Sequence, residues 1–112
     1  MSIAIVIVIG NYAKMRPVFE RLETEARKLG ADITIYTKYY IAFQRNYIFA
    51  VVNVYTNKIE VGVILEGGQA GGRLLDGSDG GWSRVTHYFV LNYEKGVDEQ
   101  ATSWLKTSYD SS

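Results

Sequence analysis

At 112 residues the chain has room for one domain and one core, and a chain of this size buries somewhat over ~60% of its unfolded surface without covalent staples. Apolar residues make up 47% and charged residues 21%, an ordinary globular composition that argues against disorder. Twelve Lys and Arg balance twelve Asp and Glu, so no global field draws in nucleic acid or an anionic membrane, and the absence of cysteine removes disulfides, thiolate nucleophiles and thiolate zinc sites together.

The opening run Ile3-Ala4-Ile5-Val6-Ile7-Val8-Ile9 is too short to span a bilayer and lacks a basic leader and a small-residue cleavage site. Six of its seven residues are β-branched, which predicts a buried strand within residues 1–10. A small chain that needs no disulfide fits a reducing compartment, so the expected location is cytoplasmic.

After Gly10 and Asn11 the period changes. Met15, Val18, Phe19, Leu22, Ala26 and Leu29 recur at spacings of three and four, one stripe of a helix. Pro17 is tolerated only in a first turn, so the helix should begin near Arg16, and Gly30 supplies a left-handed stop. From Asp32 the period becomes two. Strands are predicted around Ile33 and Ile35, over Tyr39 to Phe43, and over Tyr47 to Tyr55 after the polar break Gln44-Arg45-Asn46. The third should be central, with Ile48, Ala50, Val52 and Val54 on one face and Phe49 and Val51 on the other. Thr56-Asn57 has turn composition, and Lys58 to Leu65 should return as the hairpin partner.

Residues 66–81 hold seven of the eleven glycines and predict a long Gly-rich surface loop. Arg84 to Leu91 reads as another strand, with Val85, Phe89 and Leu91 on the same face as His87. A last helix should start at the N-cap Asp98, with Ala101, Trp104, Leu105 and Ser108 or Tyr109 facing inward. The fold class that follows is α+β, an antiparallel β-sheet meander of about five to six strands with two helices packed on one face, in a single domain over residues 1–112.

The loop Gly67-Gly68-Gln69-Ala70-Gly71-Gly72-Arg73 has bare amides that could cradle an anion. It is not a P-loop, because Gly72 is followed by Arg73 and Leu74 rather than by Lys and Ser or Thr, so a connecting loop is the favoured reading and a ligand-closing lid the alternative. Asp76-Gly77-Ser78-Asp79-Gly80 lacks the third acidic position and the distant Glu of a calcium loop. His87 is the only histidine, so imidazole chemistry would fall to it, yet its apolar strand context favours a structural, hydrogen-bonded role. Ser83 and Thr86 have no triad context. No catalytic set, metal site or cofactor motif is recognisable, and the balance leans against an enzyme. Tyr36, Tyr39, Tyr40, Tyr47 and Tyr55, with Lys38 and Arg45 among them, could stack bases or a planar ligand. Neutral charge argues against nucleic acid and for tyrosines that fill a half-buried sheet.

Four ordered stretches carry a family likeness: Pro17-Val18-Phe19-Glu20-Arg21-Leu22 leading to Leu29-Gly30; Lys38-Tyr39-Tyr40-Ile41-Ala42-Phe43 leading to Phe49-Ala50; Thr86-His87-Tyr88; and Val97-Asp98-Glu99 with Trp104-Leu105 and Tyr109. From about Arg16 onward the chain resembles the family catalogued as domain of unknown function 5655. The resemblance implies a compact α+β module without an established activity, and makes Thr86-His87 and the Asp98 helix start signature positions. The Ile/Val run before Asn11 and the glycine richness of the loop depart from that pattern.

Three functions follow as expectations. The leading one is a non-catalytic small-ligand-binding or accessory module. Its site would combine Lys38, Tyr40, Arg45 and His87, closed by Gly71, Gly72 and Arg73 of the loop. The second is a structural or protein-interaction domain, a homodimer formed through an edge strand such as Ile3 to Ile9. The third is an enzyme with His87 as its base.

Overall fold

The computed structural model describes residues 13–35, 40–68, 71–77 and 84–112. The predicted strand over Ile3 to Ile9 lies outside them, as do Tyr36, Lys38 and Tyr39. Helix α1 spans Arg16–Leu29 after a single 3-10 turn over Ala13–Met15. Pro17 sits in its first turn, and Gly30 closes it at φ 104°, a left-handed conformation that suits glycine. The strands are β1 (Asp32–Ile35), β2 (Tyr40–Gln44), β3 (Ile48–Val54), β4 (Ile59–Val63), β5 (Leu75–Asp76) and β6 (His87–Leu91). Helix α2, Glu99–Asp110, ends the chain, and the Asp98 carboxylate caps it by accepting the Ala101 N–H at 3.0 Å.

Among the described residues six strands form one antiparallel sheet in the order β1-β2-β3-β4-β6-β5, a meander interrupted where β6 passes inside β5. Ile41, Val52, Val61 and Phe89 are register partners across four strands and lie together in the core beneath the helices. Val18, Phe19, Leu22 and Ala26 of α1, with Ala101 and Leu105 of α2, complete that core. Each large apolar side chain fully buried there contributes about 1.5–3 kcal/mol. Tyr109 meets Phe49 edge-on at 5.2 Å and fixes the end of α2 against β3.

Two register slips depart from the predicted alternation. In β3, Phe43 pairs with Ala50 but Gln44 pairs with Ile48, so Phe49 is an extra residue, a β-bulge. Phe49 therefore joins Ala50, Val52 and Val54 in the helix-side core, while Ile48 turns beside Val51 to the opposite face, helix-free among the described residues. The expected grouping of Ile48 with Ala50 is corrected accordingly. The second slip precedes β6. Val63 is the register partner of His87, yet its carbonyl also accepts the Thr86 N–H at 3.0 Å, so two residues oppose one. The slip moves Val85 off the face that carries His87, Phe89 and Leu91, contrary to its predicted position. Val85 instead packs over Gly62 on the helix-free face, where a Cβ on Gly62 would come within 2.9 Å of Val85 Cγ1.

The glycine-rich segment is partly ordered into sheet. Gly71 and Leu74 exchange backbone hydrogen bonds of 2.9 and 3.0 Å around Gly72, whose φ is 57°, and Leu75–Asp76 then pairs with β6. Leu74 reaches the main core, which anchors this small hairpin. The description of 66–81 as one long loop is narrowed to that extent.

Candidate functional site

The two slips occur side by side in space and together form a cleft on the helix-free face. Ile48, delivered by the first, and Val85, delivered by the second, meet Val51 and Ile64 as an apolar floor. Gly62 lies behind Val85 and lets it approach the sheet closely. Gln44, Asn46, Tyr47 and Arg84 form the rim of a cavity of about 270 Å³. Tyr47 is 57% exposed, and the Arg84 guanidinium lies 4.9 Å from the centre of its ring. Among the described residues no Asp or Glu lines this cleft.

Bulges leave backbone groups without ladder partners, and here two hydroxyls satisfy them. Ser108 of α2, fully buried, accepts the Ile64 N–H at 2.8 Å and donates to the Phe49 carbonyl. Thr86 Oγ1 accepts the Leu65 N–H at 2.8 Å. The chain just after β4 is thus held from both sides by side chains rather than by a neighbouring strand.

The residues singled out from the sequence are distributed differently. Lys38 lies outside the described residues, and Tyr40 opens β2 opposite Asn53. Arg45 stacks at 4.7 Å over the Tyr109 ring and donates to the Tyr109 carbonyl at 3.5 Å, so it secures the C-terminal end of α2. His87 is 5% exposed and sits in the row Phe43–Ala50–Val63–His87 on the helix side. That row places β2 three inter-strand spacings from His87, about 14 Å, so Arg45 and His87 do not meet.

His87 Nδ1 lies 2.7 Å from Thr86 Oγ1, and Nε2 lies 3.4 Å from the exposed Asp76 Oδ1 without hydrogen-bond alignment. The Asp76 carboxylate beside Nε2 favours a proton there, so the ring takes the Nε2–H tautomer and Nδ1 accepts from Thr86 Oγ1 at 2.7 Å, in preference to the longer Thr86 contact with the Val63 carbonyl at 3.5 Å. This arrangement holds the end of β4. Arg73, assigned from the sequence to a closing loop, instead binds Asp98 Oδ2 at 2.8 Å and the Gly96 carbonyl at 2.7 Å, pinning the hairpin around Gly71 and Gly72 to the start of α2. Asp98 is held below its ordinary carboxyl value by the Ala101 N–H first and by the Arg73 charge, against a desolvation that opposes both.

The sequence reading missed Tyr47 with Arg84 as a pair, because 37 positions separate them and only the two slips bring their neighbourhoods together. One signal was present. Gly62 interrupts an apolar strand run, and an isolated strand glycine marks a close approach. A larger groove, about 580 Å³, separates α1 from the start of α2, but its walls are mainly charged side chains of both signs, including the Arg21–Glu25 pair. It lacks the apolar floor of a small-molecule site. Among the described residues no three His, Asp or Glu side chains gather as a metal site, and no helix is long and apolar enough to cross a membrane.

No curated protein and no solved structure matches the chain. The model of one family, described as Domain of unknown function (DUF5655), matches residues 7–112, beginning inside the N-terminal Ile/Val run and so earlier than the likeness noted from Arg16. The α+β sheet with its Thr86-His87 bulge and Asp98 cap is therefore a member's fold, and the chain belongs to the DUF5655 family.

Proposed function

We propose that the chain is a non-catalytic small-ligand-binding module of the cytoplasm and that the cleft between the two bulges is its site. The observation behind this reading is that two separate register slips turn Ile48 and Val85 to the same face. Bulges disrupt a ladder and tend to occur where a side chain must be re-aimed beside a site. Two hydroxyls, the buried Ser108 and the half-buried Thr86, offset the disruption here, which a merely tolerated irregularity would not require. An apolar floor with a few convergent polar groups at its rim is the composition of a small-molecule pocket.

Native mass spectrometry of protein purified from cells, followed by thermal shift across a metabolite panel, tests the reading. The expected result is a bound small molecule or a raised Tm that Ile48→Trp, which fills the cleft, abolishes. Clean apo protein with no shift from any compound would overturn it.

A second reading is a homodimer through an edge strand. Among the described residues β1 is one margin of the sheet, and Ile3 to Ile9 offers seven apolar residues to a paired edge. A monomeric mass by ultracentrifugation at high micromolar concentration would end it.

A further inference from the structure

Arg84 differs from every other arginine of the chain. Arg16, Arg21 and Arg27 pair with Glu20, Glu25 and Glu23 along α1, Arg45 is engaged by Tyr109, and Arg73 by Asp98 and Gly96. Arg84 has the Tyr47 ring beneath it and no carboxylate or carbonyl acceptor among the described residues. A guanidinium stacked on an aromatic face keeps its in-plane N–H donors free, and those donors match a carboxylate or phosphate. It also stands at the mouth of a cleft in whose lining, among the described residues, there is no acidic group.

We infer that the cleft takes a small flat ring carrying one anionic group, a carboxylate or a phosphate monoester. The inference rests on the cleft being the binding site. The ring lies on the floor of Ile48, Val51 and Val85, and the anion meets Arg84. The side-chain amides of Gln44 and Asn46 on the rim supply donors and acceptors for a ring substituent. A cavity of about 270 Å³ suits a single substituted ring and is too small for a nucleotide. Tyr47 orients Arg84 and shields it from water on one face, which strengthens its hold on an anion relative to a free surface arginine.

The test is a ¹H–¹⁵N NMR titration of the full chain with salicylate, phenyl phosphate, salicylamide and acetate at low salt. Salicylate or phenyl phosphate should shift the amides of Ile48, Val51, Ile64 and Val85 together with the Arg84 Nε–H, and which of the two binds more tightly identifies the anion. Salicylamide, neutral and of the same shape, should bind about tenfold more weakly, and Arg84→Gln should bring salicylate down to the same level. Acetate should shift none of these amides at the same concentrations. Equal binding of salicylate and salicylamide would overturn the anion inference while leaving the cleft a ligand site. Acetate shifts as large as those of salicylate would overturn the requirement for a ring. No shift in the cleft with any of the four probes would overturn the inference and count against the small-ligand reading with it.

Discussion

The hydroxyl of Ser108 on α2 donates to the carbonyl of Phe49, the extra residue of the β3 bulge, while accepting the Ile64 N–H at 2.8 Å. One buried oxygen therefore serves two backbone groups, one in β3 and one just after β4. A polar group at this depth is costly unless bonded, and here it is fully bonded.

Ser108→Ala leaves both backbone groups unsatisfied. With about 1–3 kcal/mol for each such group, the expected loss is about 2–6 kcal/mol in urea unfolding. Amide exchange at Ile64 should accelerate selectively. A loss under about 0.5 kcal/mol would mean that the two groups find other partners, and the account of the bulge would fail.

Gly62 is required by Val85. A methyl group at position 62 would sit 2.9 Å from Val85 Cγ1, closer than carbon atoms approach. Gly62→Ala should destabilise by about 1–3 kcal/mol through overpacking. The same substitution in a Val85→Ala background should cost less, with a coupling on the order of 1 kcal/mol. Additive effects would place the clash elsewhere.

Asp98 gives a pH dependence with a defined sign. Its carboxyl lies below the ordinary 3.8 in the folded chain, through the Ala101 N–H first and then Arg73. The stabilisation is therefore present in full above the unfolded value and lost as pH falls through the folded one, below about pH 4. Asn caps a helix about as well as Asp but cannot pair with Arg73, so Asp98→Asn isolates the ionic part. That part is exposed and worth at most about 1 kcal/mol. The stability gap between the two proteins, measured by urea midpoints at pH 6, 4 and 3, should narrow as pH falls; a constant gap would contradict the assignment.

The only histidine should report its tautomer directly. Long-range ¹⁵N–¹H correlation spectra should show His87 as Nε2–H, with Nδ1 accepting from Thr86. Thr86→Val should shift that Nδ1 resonance and expose the Leu65 amide to exchange. An Nδ1–H form in the wild type would reverse the direction of the Thr86 hydroxyl and refute the network.

Much of the frame was legible in the sequence because it depends on period. The stripe from Met15 to Leu29, Pro17 in the first turn, the Gly30 stop and the Asp98 cap each follow from local chemistry, and each stands where expected. The faces of β3 and of the segment before β6 were not legible. A bulge adds one residue without changing composition, so Ile48 and Val85 look the same on either face until their partners are known. Leu75–Asp76 was hidden for another reason: a two-residue strand among glycines carries no period at all. The proposed ligand set of Arg45 and His87 drew on their chemistry, whereas their separation is a matter of strand order, and strand order is not written in spacing.

The bulge at Phe49 has one consequence for how this molecule can change. It acts as a phase shifter within a single strand, so that residues before and after it address different audiences. Ala50, Val52 and Val54 answer to the helices, and Ile48 answers only to the cleft. Mutation at 48 can therefore reshape the cleft without asking the core to repack, whereas a one-residue deletion there would put the two faces back in step and cost both at once.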